Sequence, residues 1–98
     1  MHRDKILVVD DDENMVYIIK DALQHEGYEV STAGDGATGI QLVSIKHPDL
    51  VIADVMMPGM DGFSMLESIR RIGYNMPVLI LTCLLYTSDA ADDLLCVD

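Results

Sequence analysis

Three short runs of consecutive apolar residues, at 6–9, 50–53 and 78–81, recur along a chain of 98 residues. A run of four with no polar alternation has no wet face. Such runs are the mark of strands inside a parallel sheet that is covered on both sides. Each run closes on a polar residue: Asp10, Asp54 and Thr82. The first is followed by four acids in succession, Asp10 to Glu13, which repel one another unless something positive joins them.

Between the runs the periodicity turns helical. After Asp12 to Asn14, which carry helix-start chemistry, Val16, Ile19 and Leu23 recur at helical spacing with Met15 and Ala22, and Gly27 ends the segment. Residues 28–33 alternate in part (Tyr28, Val30, Thr32) and suit an outer strand. Gly34-Asp35-Gly36 reads as a turn. Residues 37–46 form a second helix, with Ile40 and Val43 or Leu42 inward, and His47-Pro48 breaks it. Residues 63–72 form a third, with Phe63, Leu66, Ile69 and Ile72 inward, and Gly73 ends it. The order β-α-β-α-β-α-β predicts an α/β fold with a parallel sheet.

In such a sheet, ligands collect beyond the carboxyl ends of the strands, where the strand order reverses. With the strands ordered 2-1-3-4, the first and third are neighbours about 4.8 Å apart. Asp10, Asp11 and Asp54 then share one crevice, with Thr82 beside them. Three carboxylates at that separation take up either a proton or a cation. An all-oxygen donor set suits a hard ion such as Mg²⁺. Asp12 and Glu13 are assigned instead to the helix N-terminus, where acids favour the dipole. An aspartate beside Mg²⁺ can act as a nucleophile toward a phosphoryl group. Thr82 reads equally well as a hydroxyl for a phosphate oxygen and as an ordinary β-branched strand end.

At this point VVDDDE, LVIADVMMPGMDG and PVLILT resemble the receiver domain of two-component response regulators, over residues 4–82. The segment from Asp54 to Gly62 is the most specific part. The resemblance implies a flavodoxin-like, doubly wound sheet and a regulatory rather than enzymatic role. It implies that Asp54 is the phosphoacceptor, that Asp10 and Asp11 are the acidic metal pair, and that Met56 offers a backbone carbonyl to the ion. Thr82 matches the switch hydroxyl, and Pro58 and Gly62 shape the loop after the acceptor. The implied partner is a sensor histidine kinase.

Two rival functions stay open on the residues alone. One is a Mg²⁺-dependent phosphohydrolase with Asp10 as nucleophile and Asp12 as acid–base partner, which leaves Asp54 and its loop without a role. The other is an interaction module that works without phosphorylation. A net charge of −11 argues against direct nucleic-acid binding. No apolar run approaches the length that spans a membrane, and no signal-type segment precedes the first strand, so a cytoplasmic location is expected.

After Thr82 the pattern changes. Residues 83–98 contain no Lys, Arg, His, Gly or Pro. The fifth strand with its lysine and the last two helices of the family are missing from the pattern, so the sheet is expected to be incomplete. LLYTSDAADDLLCVD resembles the translation of a sequencing-library adapter. Residues 1–82 are therefore read as a partial receiver domain and 83–98 as a non-native or divergent tail, with no role for Cys83 or Cys96. The alternative is a short helix over 90–95 capped by Ser88 or Asp89. The fourth strand is expected to be a bare sheet edge. A marginal or partly molten chain is predicted; a cooperative thermal transition with full sheet content contradicts it.

Overall fold

The computed structural model describes residues 4–57 and 59–81. Within them the chain runs β1 (Lys5–Val9), α1 (Glu13–His25), β2 (Glu29–Ala33), α2 (Gly36–Lys46), β3 (Leu50–Asp54), α3 (Gly62–Ile72) and β4 (Val78–Leu81). The four strands form one parallel sheet in the order β2-β1-β3-β4. The expected order is thus present, with its reversal between β1 and β3. The expectations for Pro58, Thr82 and residues 83–98 lie outside the described residues.

Alternation along the strands divides the apolar side chains between two cores. Leu7 and Val9 of β1, Val51 and Ala53 of β3, and Val78 and Ile80 of β4 join Val43 of α2 and Met65 and Ile69 of α3 on one face. Ile6, Val8 and Ile52 face the other way, under Val16, Ile19 and Leu23 of α1. One helix therefore covers one face and two cover the other. This is why the strands carry no wet side and read as unbroken apolar runs.

Each helix begins on an aspartate. Asp12 accepts from the N–H groups of Asn14 and Met15, Asp35 from Thr38 and Asp61 from Ser64. These bonds satisfy donors that the first turn leaves without partners. Asp35, expected in a turn, is the cap that starts α2 one residue earlier than the periodicity suggested. The far ends close through left-handed residues. Gly27 follows α1 at φ 96°, Gly73 caps α3 at φ 118°, and His47 ends α2 at φ 50°.

The facing of two helices differs from expectation. Phe63 and Ile72 are 50% and 55% exposed, while Met65 and Ile69 are wholly buried. The inner stripe of α3 is therefore Met65, Leu66 and Ile69. Phe63 follows Gly62, which lies against the Asp54 backbone, and so stands off the buried stripe of Gly62, Met65 and Ile69. In α1, Met15 and Ala22 lie on the solvent side of the stripe formed by Val16, Ile19 and Leu23. Met65→Ala is expected to lower the unfolding free energy by about 2–5 kcal/mol. Phe63→Ala should change it by less than about 1 kcal/mol. Urea denaturation of the two variants checks this, and equal losses would contradict the assigned facing.

Candidate functional site

The site is built by strand register. Val9 of β1 pairs with Ala53 of β3, so the next residues of the two chains, Asp10 and Asp54, leave the sheet at the same level. Both share the parity of Val8 and Ile52, which places them toward the α1 side. Asp11 follows at once in the turn to α1. One carboxylate oxygen from each of Asp10, Asp11 and Asp54 lies within 4.8 Å of the other two. The sequence expectation that these three side chains converge is met in the geometry.

Their surroundings differ. Asp10 is 5% exposed, Asp54 is half-buried and Asp11 faces solvent. The Asp10 backbone N–H donates to the Ala33 carbonyl at 3.0 Å, which ties the site to the end of β2. Asp10 Oδ1 accepts from the Asp12 N–H at 3.0 Å, and Asp54 Oδ1 accepts from the Met56 N–H at 3.3 Å. Burial pushes the Asp10 carboxyl from 3.8 up to about 6; the Asp12 N–H opposes the rise, and the carboxylates of Asp54 and Asp11 add to it. By contrast Asp35 and Asp61, which accept N–H bonds in the open, are held below the usual carboxylate range.

The acids at this edge of the sheet thus divide by task. Asp12, Asp35 and Asp61 are occupied with helix starts. Asp10, Asp11 and Asp54 cap nothing and face one another. Asp12, the acid–base partner of the phosphohydrolase alternative, already accepts two backbone N–H bonds and stands outside the cluster. Met56 has its side chain 73% exposed, and its described bond to the site is the N–H on Asp54. A buried carboxyl that resists ionisation, flanked by two more carboxylates, fits an oxygen-seeking divalent cation.

Glycine brings α3 against β3. A Cβ on Gly62 would lie 2.6 Å from the Asp54 carbonyl oxygen, far inside contact distance. The Gly62 N–H donates to the Val55 carbonyl, and the Val55 N–H to that of Leu81. The loop after Asp54 is therefore anchored at both ends to β3 and its neighbours. The sequence marked Gly62 through its motif; the physical need is this approach of helix to strand. Burial of Asp10 was the feature sequence reading missed. Its signal is the position one residue past a fully apolar strand.

Comparison with known proteins agrees with this geometry. The family model for the response regulator receiver domain matches residues 6–95. The probable transcriptional regulatory protein TcrX of Mycobacterium tuberculosis is 39% identical over 88 residues, 90% of this chain and 36% of TcrX. The alkaline phosphatase synthesis transcriptional regulatory protein PhoP of Bacillus subtilis is 40% identical over 78 residues, 80% of this chain and 32% of PhoP. The chain thus spans about a third of the length of these relatives. Among solved structures, the chemotaxis protein CheY4 of Vibrio cholerae superposes with a TM-score of 0.81 at 33% identity, covering 93% of this chain and 76% of that one. A response regulator receiver domain protein from Clostridium thermocellum gives 0.76 at 37%, covering 81% and 64%.

Asp10 provides a pH test of the site. Its raised value means that its favourable contribution is complete below pH 3.8 and is lost as pH rises through about 6. Without divalent cations, Asp10→Asn is expected to be more stable than the parent at pH 7.5 by roughly 1–3 kcal/mol, and the advantage should vanish near pH 4. Thermal melts in chelator across that range check it; a constant difference between the two proteins would contradict it. The register, the three converging carboxylates and the family match lead to one identification: the chain belongs to the response regulator receiver domain family, the phosphoacceptor switches of two-component signalling.

Proposed function

We propose that this chain accepts a phosphoryl group on Asp54 from a sensor histidine kinase, with Mg²⁺ held by Asp10, Asp11 and Asp54 and by the backbone carbonyl of Met56. The observation that carries this reading is the meeting of three carboxylates from two facing strand ends. Bound Mg²⁺ offsets the charge of the incoming phosphoryl oxygens.

The protein groups have distinct tasks. Asp54, half-buried, keeps one carboxylate oxygen on the Met56 N–H and presents the other as nucleophile. Its attack on phosphorus forms the acyl phosphate as the bond to the kinase imidazole nitrogen breaks, and that nitrogen keeps the electron pair. The Gly62 contact fixes the Asp54 backbone from behind. Asp10 and Asp11 stay unmodified and supply the negative field that draws in the cation. Thr82, one residue past Leu81, is assigned to a phosphoryl oxygen. The acyl phosphate carries about −1.5 to −2 charge in place of the single charge of the Asp54 carboxylate, and places strong acceptor oxygens where charge is already crowded.

Every residue this reading uses lies within 1–82, the segment we assign to the receiver, and residues 83–98 are assigned no part in it. The transcriptional regulation ascribed to TcrX and PhoP belongs to proteins about three times as long. The chain itself, at a net charge of −11, is assigned no contact with nucleic acid. Among the described residues no helix is long and apolar enough to cross a membrane. We assign the chain to the cytoplasm, where a kinase transmitter can reach Asp54.

Acetyl phosphate with Mg²⁺, followed by borohydride trapping and peptide mass mapping, tests the assignment. The modification is expected at Asp54, and Asp54→Asn should abolish it. A modification at Asp10 would favour the phosphohydrolase. Saturable Mg²⁺ binding with no modification at all would favour the phosphorylation-independent module.

A further inference from the structure

The loop between Asp54 and α3 also touches the fold away from β3, at the start of α2. Met60, half-buried against the larger core, lies over the first turn of α2. A Cβ built on Gly36 would meet Met60 Sδ at 2.8 Å and its Cβ and Cγ at 3.0 Å. The contact involves the base of the methionine as well as its sulfur, so a rotamer change alone does not relieve it. Gly36 has no left-handed φ that would reserve the position for glycine. At the first helical position alanine is otherwise the better residue. Glycine at 36 is thus explained by what rests on it.

We propose that Met60 is a positioning residue for phosphoryl acceptance, seated in the notch at Gly36 so that the loop following Asp54 is pinned to α2. This rests on the assignment of Asp54 as the acceptor. The loop then has two fixed points. Gly62 lies against the Asp54 carbonyl, and Met60 lies against α2, two residues earlier. Gly59, at φ 83°, turns the chain directly before the seat. Between these points and Asp54 lies Met56, whose N–H holds the acceptor carboxylate. Lifting Met60 from its notch therefore loosens the segment that orients Asp54, without touching any of the three carboxylates.

The test is a double-mutant cycle in the full chain, read as the rate of acyl phosphate formation with acetyl phosphate and Mg²⁺. Gly36→Ala is expected to slow formation by about tenfold, since small misplacements of a nucleophile are costly. In a Met60→Ala background the same change should cost clearly less, because Sδ and Cγ are gone and only the Cβ at 3.0 Å remains. Met60→Leu, which refills the notch, should be faster than Met60→Ala. Mg²⁺ affinity is expected to fall with the rate, since Met56 and Asp54 belong to the loosened segment; recovery with Met60→Leu is the readout that general loss of structure would not produce. An equal penalty for Gly36→Ala in both backgrounds would overturn the proposal. If Gly36→Ala fails to fold, the comparison of Met60→Leu and Met60→Ala decides, and equal rates for the two overturn it. Absence of any acyl phosphate in the parent chain is a different failure, that of the Asp54 assignment itself.

Discussion

The pairing of β1 with β3 is the constraint on which the rest depends. Parallel strands are evenly bonded, and each residue has a fixed neighbour across the ladder. Once Val9 stands opposite Ala53, the aspartates that follow must emerge together. A slip of one residue would turn Asp10 and Asp54 to opposite faces and bury their charges among leucine and valine. The apolar pattern of both strands forbids that slip, because Leu7, Val9, Val51 and Ala53 all belong to one core and Ile6, Val8 and Ile52 to the other. The hydrophobic core thus sets the geometry of a polar site it does not touch.

That geometry has a cost. Asp10 is held beneath the surface beside two other acids, and its carboxyl resists ionisation as a result. The ordinary use of acids at this edge is visible next to it. Asp12, Asp35 and Asp61 each accept backbone N–H groups at a helix start, where negative charge is favoured. The same residue type, within a few residues, serves stability in one setting and opposes it in the other. The opposed group is the one with a use for a cation, since a metal restores what burial withholds.

Much of this was readable in the chain. β1, β3 and β4 are short, apolar and unbroken, so their identity and limits were plain, and the acids ending β1 and β3 marked the site. The interior of α3 was harder. Phe63 is the most apolar residue of its first turn, yet Gly62 and flexible Met65 hold the side of that turn that meets the sheet. Periodicity gives the width of a helical stripe but not its phase when apolar residues fall on both sides. Asp35 was read as part of a turn because glycines flank it, although the same position also offers a cap. Close approaches at Gly36 and Gly62 were illegible, because a missing Cβ leaves no pattern in sequence.

The central claim is that side chains 10, 11 and 54 form one divalent-cation site. Paramagnetic broadening of amide resonances by substoichiometric Mn²⁺ tests it most directly. The account predicts that the amides of residues 10–12 and 54–56 vanish first and return when Mg²⁺ is added in excess. Broadening spread over the acidic surface, or centred on the capping aspartates at 35 and 61, would contradict it.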